Sequence, residues 1–136
     1  MKLITRNTDY ALRVLLYMAH DTETMFTAAQ LIGKLKIPGP FLRRLLQDLG
    51  KHGILQSYKG KNGGFSLKIA PEKIRVLDVM RIFQGNVEIT NCMFKKSLCP
   101  DKRRCPLRVK VNAIEKKVIA DFSSITIASL SRKPSS

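Results

Sequence analysis

Acidic residues are scarce in this chain. Of 136 residues ten are Asp or Glu, against 25 Lys and Arg, and the net charge is +15. An excess of that size in so short a chain points to a polyanionic partner, nucleic acid before membrane. Long apolar runs are also missing. None approaches the ~18 residues needed to cross a bilayer. The opening Met-Lys-Leu-Ile-Thr-Arg-Asn lacks the apolar block and small-residue cleavage site of a secretory signal. The expectation is a soluble, cytoplasmic protein with no membrane partner. Cysteine is nearly absent too: there are three, an odd number, which excludes a disulfide scaffold. No internal repeat, nucleotide-binding fingerprint or acid/base pair is present, so the chain does not read as an enzyme.

Hydrophobic residues make up 44% of the chain, enough for a packed core and against global disorder. The periodicity predicts a mainly α fold with one small β-hairpin. A first helix is expected from about Thr8, as N-cap, to His20, with Ala11, Val14, Leu15 and Met18 inward. A second begins at Thr27, whose spacing to Gln30 is that of a capping box. Its apolar face is Ala28, Leu31, Ile32 and Leu35. Ile37-Pro38-Gly39-Pro40 breaks it. A third helix runs from about Pro40 to Lys51, with Phe41, Leu42, Leu45, Leu46 and Leu49 inward and Gly53 as its stop. Two helices of this size joined by a tight turn form a helix-turn-helix.

Two period-two stretches follow, Ile54–Tyr58 and Phe65–Ile69, separated by Lys59-Gly-Lys-Asn-Gly-Gly64. The glycines and asparagine tolerate positive φ, so this is a hairpin with a basic tip. A hairpin placed directly after a helix-turn-helix is a wing. A further helix is expected over about Val76–Gln84, stopped by Gly85. A last one runs from Pro106 to about Phe122, with Leu107, Val111, Ile114, Val118 and Phe122 on a narrow stripe like a coiled-coil seam. The expected organisation is a winged helix-turn-helix module over residues 1–85, a cysteine loop over 86–105, a dimerisation helix with a short C-terminal element over 106–130, and a mobile tail over 131–136.

Charge concentrates on the winged module. From Thr24 to Pro71, Lys34, Lys36, Arg43, Arg44, Lys51, Lys59, Lys61 and Lys68 face a single acid, Asp48, a net +7 from eight bases and one acid. The candidate DNA contacts are Arg43, Arg44, Gln47 and Lys51 of the third helix and Lys59, Lys61 and Asn62 of the wing tip. An RNA reader would show aromatic stacking platforms. The wing offers only Tyr58 and Phe65, which favours double-stranded DNA. His20 and His52 have no partner pattern and read as helix-end residues.

The three cysteines, Cys92, Cys99 and Cys105, stand together as C-x6-C-x5-C. They lack the paired C-x(2–4)-C knuckles of zinc sites and the tight ferredoxin run. Their wider arcs suit a multi-iron cluster. Lys95, Lys96, Lys102, Arg103, Arg104, Arg108 and Lys110 surround them. That field favours thiolate, the ligating form. Metal-free redox thiols and a structural zinc are the alternatives. Three thiols leave a fourth ligand to come from elsewhere, and Arg108, at the position of a C-x-x-H ending, cannot supply it.

These landmarks together resemble the IscR/NsrR (Rrf-type) family of bacterial winged-helix regulators. They are Met1-Lys-Leu, Thr8-Asp-Tyr-Ala-Leu-Arg13, Phe41-Leu on the third helix, Gly60-Lys-Asn-Gly-Gly-Phe-Ser-Leu67, the cysteine triplet and Thr126-Ile-Ala-Ser-Leu130. The resemblance covers nearly the whole chain. It implies a homodimer held by the last long helix, reading a two-fold DNA operator as a transcriptional regulator, with repression the favoured mode. It implies that Cys92, Cys99 and Cys105 hold an iron–sulfur cluster controlling DNA binding, 4Fe–4S favoured over 2Fe–2S. The signal would be a small molecule such as nitric oxide or oxygen, or iron status. Where the IscR-like branch has a ligating histidine, this sequence has Arg108. The NsrR-like branch takes an aspartate early in the first helix from the other subunit, and the matching residue is Asp9. Pro38 and Pro40 replace the capping residues usual in the family, a departure that bears on operator preference.

Overall fold

A computed structural model of the chain describes residues 3–88 and 106–131. The elements are α1 (Arg6–Ala19), α2 (Ala28–Leu35), α3 (Gly39–Lys51), β1 (Leu55–Tyr58), β2 (Gly64–Leu67), a 3-10 turn (Pro71–Lys73), α4 (Val76–Gln84), α5 (Pro106–Ser124) and α6 (Ile127–Ser131). The mainly helical fold with one hairpin and a long C-terminal helix is the one the periodicity predicts. The tail 132–136 and the segment 89–105 lie outside the described residues.

The apolar stripe of α1 is the centre of the packing. Ala11, Val14, Leu15 and Met18 are fully buried, and α2, α3, α4, α6 and β2 all pack on this helix. Leu31 of α2, Leu42, Leu45, Leu46 and Leu49 of α3, and Val76, Leu77, Val79 and Met80 of α4 complete the core. Burying each such side chain contributes about 1.5–3 kcal/mol relative to leaving it in water. Phe41, expected inward, is 49% exposed. It lies one position off the i, i+3, i+4, i+7 row that Leu42, Leu45, Leu46 and Leu49 define, and that row already fills the interface.

Helix α1 starts earlier than predicted. Its N-cap is Thr5, whose side chain accepts from the Thr8 amide, and Thr8 is fully buried inside the first turn. Thr8 is no cap because its hydroxyl is spent on another helix: it donates to Gln84 Oε1 at 2.7 Å. The predicted capping box of α2 is formed, with Gln30 Oε1 accepting from the Thr27 amide at 2.9 Å and Thr27 Oγ1 accepting from the Gln30 amide at 3.1 Å. His20 and His52 are the C-caps of α1 and α3.

The wing is antiparallel, in the register Leu55↔Leu67 to Tyr58↔Gly64. Phe65, Leu67 and Ile69 turn toward the core, as their alternation predicts. A third partner was not legible: Phe26, before α2, exchanges both backbone hydrogen bonds with Phe65 at 2.8 Å. This bridge anchors the wing to the helix-turn-helix, and the Phe26 ring packs edge-on against Tyr17 of α1 at 5.6 Å. A second bridge, Arg75 with Thr126, docks the α5–α6 turn on the start of α4. There the Arg75 guanidinium forks onto Asp78 at 2.8 and 3.1 Å, and those hydrogen bonds hold the Asp78 carboxyl below its ordinary pKa.

The approach of the Phe26 backbone leaves no room beside Gly64. A Cβ there would sit 2.7 Å from the Phe26 carbonyl oxygen. Backbone cannot yield as a side chain does, so Gly64→Ala should destabilise the fold by about 1–3 kcal/mol, the usual range for overpacking. Urea denaturation followed by circular dichroism measures this. An unchanged midpoint would show that the bridge shifts without cost.

Candidate nucleic-acid interface

Helix α3 follows α2 across a turn set by Lys36, whose φ of 55° makes it a left-handed C-cap. Glycine usually fills that position. Here the chain keeps an exposed lysine at the entrance to α3. The N-cap of α3 is Pro38, which gives no side-chain cap. At 3.6 residues per turn, Arg43, Gln47, Lys51 and Arg44 fall within about 100° of arc, opposite the buried leucine row. All four are exposed, and Pro40 shares their face.

The wing tip presents a second basic surface. Lys59, Lys61 and Asn62 are exposed around a turn closed by the Gly63 amide donating to the Gly60 carbonyl at 3.0 Å, with Gly60 at φ 102°. Within the described residues, no ion pair or hydrogen bond occupies the side chains of Arg43, Arg44, Gln47, Lys51, Lys59, Lys61 or Asn62. Unpaired surface cations of this kind are free to replace the counterions of a polyphosphate. Asp48, the one acid between Thr24 and Pro71, is half-buried at the edge of the α3 face, where it lines a cleft with Phe41, Arg44 and Phe83.

The proposed metal residues are placed unequally. Cys92, Cys99 and Cys105 lie outside the described residues. Asp9 is in the first turn of α1, with its amide bonded to the Thr5 carbonyl at 2.9 Å. Its carboxylate is about half exposed and pairs with Arg13 at 3.0 Å. It lines an open cleft of about 590 Å³ with Ile4, Thr5, Arg6, Tyr10 and Arg13. Among the described residues no group of three potential ligands forms, so Asp9 has no metal-binding companions there. Sequence reasoning missed Gln84, whose carboxamide binds Leu3, Thr5 and Thr8. Nothing local marks it, since its partners are some eighty residues away in the chain.

The family model for iron-dependent transcriptional regulators, Rrf2, matches residues 4–133. The chain belongs to the Rrf2 family. It is 31% identical over 114 residues to the transcriptional regulator NsrR of Bacillus licheniformis, covering 82% of this chain and 79% of that one. With the NsrR of Bacillus subtilis it shares 29% over 132 residues, 96% of this chain and 90% of the other. Solved structures share the fold. CymR, the global cysteine regulator of B. subtilis, superposes with a TM-score of 0.73 at 23% identity, over 96% of this chain and 97% of that one. The T. potens IscR gives 0.69 at 21%, over 96% and 85%. This Rrf2 protein is thus a DNA-binding transcriptional regulator and not an enzyme. No helix among its described residues is long and apolar enough to cross a membrane.

DNA binding by these basic faces should be steeply salt-dependent. With roughly 6–10 phosphates neutralised, affinity should fall about 10³–10⁵-fold between 50 and 200 mM salt. Lys59→Ala with Lys61→Ala should weaken binding to every sequence alike and reduce the salt slope. Fluorescence anisotropy across salt concentrations reads both effects. A slope identical to wild type would remove the wing tip from the contact surface.

Proposed function

We propose that this Rrf2 protein is a homodimeric repressor whose grip on its operator is set by an iron–sulfur cluster responsive to nitric oxide, redox or iron status. The observation that carries the reading is the isolation of Asp9. A half-exposed carboxylate on an open cleft, with no ligand companions among the described residues, can complete a metal site only with donors from elsewhere. The three thiols Cys92, Cys99 and Cys105 are one ligand short, and the carboxylate supplies that ligand. The similarity to NsrR proteins supports the same assignment.

The donor set fits such a group chemically: three thiolates in a basic segment, and one carboxylate whose present partner is easily given up. The Asp9–Arg13 pair is exposed and worth about 0–1 kcal/mol, so releasing it costs little. Cys92, Cys99 and Cys105 would hold the cluster, 4Fe–4S favoured, with Asp9 reaching in from the other subunit. When bound it supplies iron that reacts with nitric oxide and oxygen. Arg13 would then be free to hold nearby negative charge. Asp9 opens the helix on which α3 and the wing are packed. A bond between subunits at this point therefore fixes the separation of two α3 helices. Two half-sites one helical turn apart, about 34–36 Å, require such fixed separation. The protein would work on the bacterial chromosome, in the cytoplasm.

The dimer surface in this reading is α5. No residue of this helix is buried within the single chain. Leu107 is 67% exposed and Ile114 54%, while Val118 and Phe122 lean on the core. The predicted stripe is therefore apolar at both ends and covered at one. A light-scattering mass of two chains at micromolar concentration is expected, and Ile114→Lys should shift it toward one. A wild-type mass of one chain would overturn the dimer.

Anaerobically isolated protein should be brown. Cys92→Ala, Cys99→Ala and Cys105→Ala should each lose most iron and sulfide, because three arcs leave no spare thiol. Asp9→Ala should keep the dimer and the fold, lose its cluster faster, and bind operator more weakly. A hundredfold loss corresponds to about 2.7 kcal/mol of coupling. Stoichiometric zinc without sulfide would support a structural metal instead. A stable cluster with an unchanged nitric oxide response in Asp9→Ala would overturn the ligand assignment.

A further inference from the structure

The N-terminal arm is fastened to the far end of α4 by one side chain. Gln84 Oε1 accepts from the Thr5 amide at 3.1 Å and from the Thr8 hydroxyl at 2.7 Å, while its Nε2 donates to the Leu3 carbonyl at 2.8 Å. Thr8 is the one polar residue among the buried ones described, and its hydroxyl also lies 3.1 Å from Thr5 Oγ1. The carboxamide thus holds the arm at three successive points, on both sides of the helix start. The Thr5 carbonyl in turn accepts from the amide of Asp9 at 2.9 Å. Gln84 and the backbone of Asp9 are therefore joined through a single residue, Thr5. At its other end Gln84 closes α4, and from there the chain runs on toward Cys92.

We infer that Gln84 is a positioning residue that sets where the Asp9 carboxylate stands relative to the end of α4, and so how firmly that carboxylate can hold a cluster. The inference rests on the reading of Asp9 as a ligand. Its physical basis is the directionality of the contacts. An apolar side chain at 84 could fill the same space, but it would let the arm slide. Three hydrogen bonds to a planar carboxamide, two of them to backbone, fix register and angle together. A metal ligand placed with an error of an ångström no longer binds well, so a residue that removes such play acts on affinity without touching the metal.

The test uses the full chain, free of metal and anaerobically loaded with iron and sulfide. In metal-free protein, Gln84→Met should speed exchange of the Thr5 amide proton at least tenfold by NMR, since Gln84 is that amide's acceptor. In loaded protein it should speed loss of the visible absorbance at least tenfold. Gln84→Met leaves the buried Thr8 hydroxyl without its acceptor and lowers stability, so Thr8→Val with Gln84→Met is the paired control. Replacing both partners by apolar groups should recover the unfolding midpoint. Fast cluster loss should persist in that control, because the Thr5 and Leu3 contacts stay broken. Finally, Gln84→Met should add nothing to the lability of Asp9→Ala, as expected for two residues acting through one ligand. Wild-type Thr5 exchange in Gln84→Met overturns the inference, as does additivity with Asp9→Ala. So does a control whose cluster is as stable as wild type while that of Asp9→Ala is labile. If Asp9→Ala itself loses its cluster no faster than wild type, the ligand reading fails and carries this inference down with it.

Discussion

Burial of one face of α1 organises this molecule. Ala11, Val14, Leu15 and Met18 are removed from water because five other elements lay their own apolar rows on that face. Truncating a side chain such as Leu15 would cost about 2–5 kcal/mol, a large share of a small domain's stability. The orientation of α3 and the wing follows from the same contact. The leucine row of α3 must point at α1, so Arg43, Arg44, Gln47 and Lys51 must point away. The surface proposed to face DNA is thus the reverse side of the core. Its geometry is inherited from apolar packing and not from any interaction among the basic residues themselves.

The same helix carries Asp9, the carboxylate proposed as a cluster ligand. Asp9 sits two residues before Ala11, where the buried apolar stripe begins, with Thr8, turned inward, beside it. A displacement at Asp9 is therefore a displacement of the element against which α3 and the wing are packed. Close-packed interiors transmit such shifts because they have no slack to absorb them. Polar contacts guard both ends of this arrangement: Gln84 secures the start of α1, and the Phe26–Phe65 bridge secures the wing.

Much of this was legible in the sequence because it depends on local pattern. The leucine row of α3, the capping box at Thr27 and the alternation of Phe65, Leu67 and Ile69 all follow from spacing and side-chain chemistry within one element. The basic excess on the winged module was equally visible, and the cysteine triplet with its family landmarks pointed to the Rrf2 family, whose model matches residues 4–133. The failures share a cause. Thr8 has the right chemistry for a cap, but a partner 76 residues away claims its hydroxyl. Phe41 is apolar and stands beside the leucine row, yet the row is full without it. Phe26 lies in a stretch with no strand periodicity and pairs only because Phe65 arrives there.

The sequence by itself determined the element types, the main apolar rows of α1, α2, α3 and the wing, the charge asymmetry and the identity of the candidate ligands. Helical and strand periods, capping stereochemistry and net charge are properties of neighbouring residues, and they survive any arrangement of the elements. The tertiary structure alone decided which polar groups meet. Gln84 finds Leu3, Thr5 and Thr8, Phe26 finds Phe65, and Asp9 is left on an open cleft with Arg13 as its ion-pair partner among the described residues. A hydrogen bond requires its partners within about 3 Å and suitably aligned. That condition is met only once the apolar faces have brought distant segments together.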